Sequence, residues 1–484
     1  MNNKWSFLPA VAALALGSGG GLPARALDTG KAASTEKPAW VQKLNVGPYE
    51  LPDLPLKTNR NYAHTSPEVR PYGGVQPQQR FFLQQLEYTG PGRAIPEPEH
   101  LDSVKIGFLG PIMPTVSVAT GGGSHSVESL GLMMLRGAKL AIQQANAEGG
   151  YQPRRIPFEL VVHNDNGLWG ASGNEVITMA YKDKVWAILG SIDGANTHIA
   201  IRVALKAELP WMNTGDLDPT FIETNIPWVF RCCGDDRQQN YLLIDYLFHK
   251  RGLTRVAIIR SSSRYGRFGV REIRDSCRRL GHPVLVEMAY NGGMKDFKLV
   301  LDRVEETHPD VVIHWGNGPD AARVLNAMRA RGMNQLFCCS DRAVCEEFVQ
   351  LAGAHAEGVI CGYPWNPERK DPKLAAFRKA FQAEFGVAPD TYAAHAYDGM
   401  NMLIWAIRTV GLNRAKIRDA LAYRPDPWPG VTGDIPFSAA LDDAGEVFLA
   451  FYENGRWHYR SRAELGLPPL PRDQAPPVQQ TAQR

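Results

Sequence analysis

From Val104 to Val410 the chain repeats one pattern about every 25 to 30 residues: a short apolar run, a glycine-containing turn, then an amphipathic stretch. Such alternation predicts successive βαβ units, hence parallel sheets covered by helices, with ligands bound beyond the carboxyl ends of the strands. In the first unit Val104, Ile106 and Phe108 alternate with Lys105 and Gly107, and Gly110 and Pro111 stop the strand. Leu132, Leu135, Ala138 and Ile142 then recur at helical spacing, and Gly149 and Gly150 supply a left-handed stop. Val256 to Ile259 and Val311 to Ile313 are continuous apolar runs, as expected of strands buried on both faces. After the second run, Asp320 is placed to cap a helix carrying Val324, Leu325 and Met328, with Arg329 and Arg331 near its negative end and Gly332 beyond it.

The connection between the first strand and helix is long and glycine-rich, from Ala119 through Gly121, Gly122 and Gly123 to Ser126. No Lys, Ser or Thr follows in P-loop spacing, so it reads as a flexible lid or cleft loop rather than a phosphate cradle. At 484 residues the chain is long enough for two lobes, each with its own core. Residues 1–26 read as an export signal: Lys4, an apolar stretch from Phe7 to Leu16, then Ala24-Arg25-Ala26 as a small-x-small cleavage site. That apolar stretch is too short for a permanent membrane helix, and no cysteine precedes Cys232 to carry a lipid. Residues 27–100 form a proline-rich extension, in which Phe81, Phe82 and Tyr88 are the candidates to dock on the folded body, and 466–484 read as a loose tail.

Charge removes two partner classes. The formal net charge is only +3 and no basic run compensates, so neither nucleic acid nor an anionic membrane surface is expected as a partner. The seven cysteines form no CxxC or CxxCH spacing, which disfavours haem attachment and a thioredoxin-like site. Two alternatives stay open for them: a disulfide joining Cys338 or Cys339 to Cys361, or burial as small apolar residues.

An ordered set of segments carries a family resemblance: Ile106 to Pro111, Arg136 to Ala141, Asn146 to Gly150, Val185 to Gly190, Pro227 to Arg231, Tyr265 with Gly266, Pro309 to Ile313, Gly318 to Asp320, and Tyr397 to Gly399. Their order and spacing resemble the branched-chain amino acid (Leu/Ile/Val) binding proteins of ABC transporters, the type I periplasmic binding fold. The resemblance implies an α/β architecture of two doubly wound parallel-sheet lobes joined by three crossings, closing on a ligand. It places lobe 1 at 101–235 and 365–435, lobe 2 at 236–364, and the hinge crossing and return to lobe 2 at 436–465. It also implies a monomeric periplasmic protein that delivers a small-molecule solute to the permease and ATPase components of a transporter, with no cofactor.

By the same resemblance, lobe 1 grips the ligand from two turns, at Gly194, Ala195 and Asn196 and at Gly215, Asp216 and Leu217. Amino acid binders of the family commonly place a hydroxyl in each turn to hold a carboxylate, and the matching places here hold Gly194 and Leu217, so that clamp is incomplete. Asp193 and Asp216 put acids there instead, which favours amine, hydroxyl or metal partners over an anion, the alternative being solvated turn or cap residues. Ser191, Asn196 and Thr197 offer hydrogen bonds from the first turn. Lobe 2 supplies Tyr265, Asn317 and Asp341, the last at the place of the family's ammonium anchor. Tyr265 and Tyr392 can stack on the ligand or close over it. Trp315 and Trp169 are cleft aromatics or core, and Asp165 and Arg231 read as structural. Arg264, Arg267 and Arg342 reverse the electrostatic argument if they enter the cleft, because guanidinium binds carboxylate bidentately.

No catalytic or metal-ligating set emerges. GxSxG, HExxH, Walker and GxGxxG patterns are missing, and His163, His198 and His314 stand apart from one another. A transport receptor is therefore expected, with a ligand sensor of the same fold as the alternative.

Overall fold

The computed structural model describes residues 86–112, 125–165, 169–438 and 440–469. The expected export signal, the extension before residue 86, the glycine-rich connection as far as Ser124, the side chain of Trp169 and the tail from residue 470 lie outside the described residues. His125 and Ser126, expected in that connection, instead open the first helix.

Two sheets organise the molecule. The first joins β1 (Val104–Gly110), β2 (Phe158–Asn164), β3 (Ile188–Gly190), β4 (Trp211–Asn213) and β5 (Val229–Arg231) in the order β2-β1-β3-β4-β5, all parallel. In the second, β6 (Val256–Ser261), β7 (Val286–Tyr290), β8 (Val311–Trp315), β9 (Leu336–Cys339) and β10 (Ile360–Tyr363) are parallel. A small two-stranded ladder of β11 (Trp428–Pro429) and β12 (Asp434–Ile435) stands apart from both sheets. The hairpin of β13 (Phe448–Glu453) and β14 (Arg456–Ser461) then adds antiparallel to β10, giving the order β14-β13-β10-β9-β8-β6-β7. Every residue of β8 is buried, as its unbroken apolar run requires of a strand covered on both faces.

Helices α1 (His125–Ala147), α2 (Trp169–Ile177) and α3 (Gly194–Lys206) connect strands of the first sheet. Helices α4 (Asp236–His249), α5 (Arg264–Arg279), α6 (Lys298–Glu305), α7 (Gly318–Ala330) and α8 (Glu346–Ala352) precede or connect strands of the second. The chain passes between the sheets after β5, after β10 and again before β13. Following the second passage, α9 (Pro372–Phe385), α10 (Thr391–Val410) and α11 (Arg414–Ala422) return to the first sheet's side, where α10 lies along α1. Gly137 makes that approach possible, because a Cβ there would stand 2.1 Å from the carbonyl oxygen of Ala393.

Two local expectations are revised. Asp320 is not a cap: α7 begins at Gly318 with Asn317 in the capping position, and Pro319, whose fixed φ suits a first turn, starts the helix earlier and leaves Asp320 inside that turn. The cysteines are not bridged. Cys339 lies opposite Cys361 across β9 and β10, yet all seven are free thiols, six of them buried as small apolar groups.

The end of the proline-rich extension is ordered against the first sheet's side. Tyr88 meets Trp228 edge-on at 4.7 Å and donates to Glu208 at 2.7 Å, while Arg93 reaches the buried Asp419 on α11. Phe81 and Phe82, named with Tyr88 as docking candidates, lie outside the described residues.

Arg231, at the end of β5, holds the first passage together. It is fully buried, pairs with Asp442 and Asp235 at 2.7 Å each, and donates to the carbonyls of Asp216 and Asp218. It thereby ties the turn after β4 to two separate passages of the chain, in the structural role expected for it. Replacing Arg231 with Ala leaves two buried carboxylates short of a partner and should cost about 3–5 kcal/mol of stability in urea denaturation. A loss below about 1 kcal/mol would contradict that role.

Candidate functional site

The residues expected to meet the ligand come from the carboxyl ends of strands in both sheets and from the start of α10. Asp341 opens the turn after β9, Tyr265 is the second residue of α5 behind the Ser263 cap, and Tyr392 is the second residue of α10 behind the Asp390 cap. The structure brings these three together. The Tyr265 hydroxyl donates to Asp341 Oδ1 at 2.6 Å and the Tyr392 hydroxyl donates to Oδ2 at 2.8 Å. Asp341 is 2% exposed, and burial raises its carboxyl above the usual range, against the pull of Arg342 and the two phenols. Burial followed by the charge of Asp341 pushes both phenols well above their ordinary pKa, so they stay protonated and act as donors.

Arg342 joins this cluster. Its guanidinium lies 3.7 Å from the centre of the Tyr265 ring, donates to Asn317 Oδ1 at 3.2 Å and pairs with Asp193 Oδ1 at 3.0 Å. Asp193 stands at the capping position of α3 without capping it, its carboxylate turned to Arg342 instead. Arg264 likewise reaches Asp218 Oδ2 at 2.9 Å and donates to the Thr220 hydroxyl. Arg267 does not join them and donates to the Ser262 carbonyl on its own turn. Two arginine–aspartate pairs and one tyrosine–aspartate bond thus link the second sheet's turns to the first sheet's side.

The lobe 1 turns are dense. A Cβ at Gly194 would lie 2.4 Å from Asp218 Oδ2, and one at Gly215 would lie 3.4 Å from the Tyr392 ring. Asn213 Oδ1 accepts from the backbone of Gly215 and Asp216 and fixes that turn. Asp216 is buried rather than solvated, and burial with the neighbouring charge of Asp218 raises its carboxyl well above normal. Leu217 is buried, its carbonyl accepting from the backbone of Asp236, and Ala195 is half-buried in the first turn of α3. Asn196 is 1% exposed and neither polar atom of its side chain has a partner. Ser191 does not face outward from the turn: it donates to Asp165, which orders the turn as expected, while Thr197 donates to the Asp193 carbonyl. Trp315 is core, fully buried with its indole nitrogen against Gly269. His314 bonds to Tyr290 and is held neutral by burial, its pKa lowered to about 3.

Asp236 escaped the sequence reading. At the start of α4, on the first passage between sheets, it is 1% exposed, one carboxyl oxygen lacks a partner, and burial together with the charge of Asp341 raises it well above normal. Its only sequence signal was adjacency to Asp235, which forms a capping box with Gln238 and so fixes where α4 starts. A carboxyl whose folded pKa exceeds its unfolded one favours folding at low pH and loses that contribution as pH rises through the folded value. Asp236→Asn should therefore raise the melting temperature at pH 8 while changing it little at pH 4. A fall at pH 8 would contradict the assignment.

Comparison with known proteins agrees with this architecture. A model of the periplasmic binding protein family matches residues 103–447. A Leu/Ile/Val-binding protein homolog from Brucella abortus is 25% identical over 338 residues, covering 69% of this chain and 90% of its own. Among solved structures, a branched-chain amino acid transporter substrate binding protein from Streptococcus pneumoniae, in complex with isoleucine, superposes with a TM-score of 0.65 at 21% identity. It covers 74% of this chain and 99% of its own. A solute binding protein from R. palustris in complex with benzoate gives 0.64 at 17% identity over 74% and 96%. The two structures share the fold, and the family match takes in the first sheet and β6 to β10 of the second, ending just before β13. The chain belongs to the periplasmic binding protein family, whose members bind ligands rather than transform them.

Proposed function

We propose that this protein is an exported solute-binding protein of an ABC transporter, which captures a small amino-acid-like ligand in the cleft and delivers it to a membrane permease. The observation that carries the reading is the meeting of Tyr265, Tyr392 and Arg342 around the buried carboxyl of Asp341. An acid there can anchor an ammonium group, with the Tyr265 and Tyr392 rings as apolar walls. Asn317 and Asp193 hold Arg342 in place, and the turns at 194–196 and 215–217 form the opposite wall. Relatives named for leucine, isoleucine and valine support this ligand class. Among the described residues no helix is long and apolar enough to cross a membrane, in keeping with a receptor that meets its permease from outside.

Closure supplies the coupling. A ligand shifts the open–closed balance only by its differential affinity for the two states, and one touching residues from both sheets has that difference. The closed form would then be what the permease recognises.

A thermal-shift screen of the mature protein against amino acids, amides, amines, polyols and aromatic acids tests the reading. A ligand at about a thousand times its Kd adds about 4 kcal/mol, enough for a clear rise in melting temperature. Silence across the panel, with nothing carried through purification on native mass spectrometry, would refute it. For an amine-bearing hit, Asp341→Asn should weaken binding by about a hundredfold or more in calorimetry, and unchanged affinity would remove Asp341 from the site.

A further inference from the structure

We propose that Arg342 takes the carboxylate of the ligand, so that the anion-binding group of this cleft sits on lobe 2 beside Asp341 rather than in the two turns of lobe 1. The proposal rests on the cleft being the solute site and names the chemistry it takes.

The two lobe 1 turns have no hydroxyl to give from the positions that face the cleft. Gly194 is pressed against an ion pair: a Cβ there would come within 2.4 Å of Asp218 Oδ2 and 2.8 Å of Arg264 Nε. Leu217 is apolar and 4% exposed, and Asp216 beside it is an acid. A carboxylate brought to these two positions would meet the acids Asp216 and Asp218 and would have only the Asn196 amide and the Thr214 hydroxyl nearby as unpartnered side-chain donors.

Arg342 offers the complementary half. Its side chain is 4% exposed, its Nη1 donates to Asn317, and its Nη2 pairs with Asp193, but its Nε has no acceptor. Nε–H and Nη2–H point the same way from one edge of a guanidinium, the edge that receives a carboxylate through two parallel hydrogen bonds. Asp193 fills one place on that edge with a single oxygen and leaves the other empty. With 29% of its side chain exposed, Asp193 can turn to water when a second carboxylate arrives. Stacking on Tyr265 and the bond to Asn317 hold the fork in place before the ligand comes, so little ordering cost remains. Asp341 and Arg342 are consecutive, so one turn of lobe 2 presents an acid and a base to the two ends of a zwitterion.

Calorimetric titration of the wild-type protein, Arg342→Met and Arg342→Lys with L-leucine, L-leucinamide and isovalerate tests this. The wild type should prefer L-leucine to its amide by about tenfold or more, since the amide removes only the anionic oxygen. Arg342→Met should bind both within about twofold and lose isovalerate, and Arg342→Lys, which keeps the charge without the fork, should fall between. Circular dichroism reports whether each variant is folded, and the lysine variant carries the test if the methionine variant is not. Equal binding of acid and amide by the wild type would overturn the proposal and leave the solute-binding reading standing, as would a preference that survives in folded Arg342→Met. Binding of isovalerate but of neither amine-bearing probe would support Arg342 while removing the ammonium role of Asp341. No binding of any of the three would overturn both.

Discussion

A carboxyl group taken almost wholly out of water must be met by donors, and the side chains that donate to Asp341 arrive from two separate elements. Tyr265 reaches it from α5, Tyr392 from α10, and Arg342 stands beside it in sequence and over the Tyr265 ring. Because Tyr392 is on a helix that packs with the first sheet and Asp341 is on the second, satisfying this one acid draws the two together. Burying the carboxyl is costly unless every partner is in place, so the arrangement is specified more sharply than apolar contact alone would specify it.

The same logic recurs along the cleft. Arg342 with Asp193 and Arg264 with Asp218 place a lobe 2 cation on a lobe 1 acid, and Arg231 with Asp442 and Asp235 fixes the passages between them. Burial keeps Asp216 and Asp236 toward their neutral forms. That choice avoids several unpaired buried charges, and Asp341, also raised by burial, keeps a phenol donating to each of its oxygens.

Much of this was legible in the sequence, for identifiable reasons. Alternating apolar runs and glycine turns gave the βαβ units because buried parallel strands need continuous apolar character, as in β8. Asp341 and Tyr265 could be singled out because they match positions from which the resembling family holds its ligand, and Tyr392 because a tyrosine gives an apolar face with one polar end. What stayed hidden depends on long-range approach. Nothing local shows that Arg342 turns toward Asp193, 149 positions away, or that Gly194 makes room for an ion pair assembled from Asp218 and Arg264. Asp236 looked like half of a helix-capping pair, and only the fold places it near Asp341. At α7 a local rule misled, because the capping residue was chosen by type while Pro319 had already fixed the start.

The central claim is that Asp341 couples the two lobes through Tyr392. A double-mutant cycle of Asp341→Asn and Tyr392→Phe, read as unfolding free energy in urea, tests it most directly. The account predicts a coupling of about 1–3 kcal/mol, the range of a buried hydrogen bond to a charged partner. Additive effects, within about 0.3–0.5 kcal/mol, would contradict it.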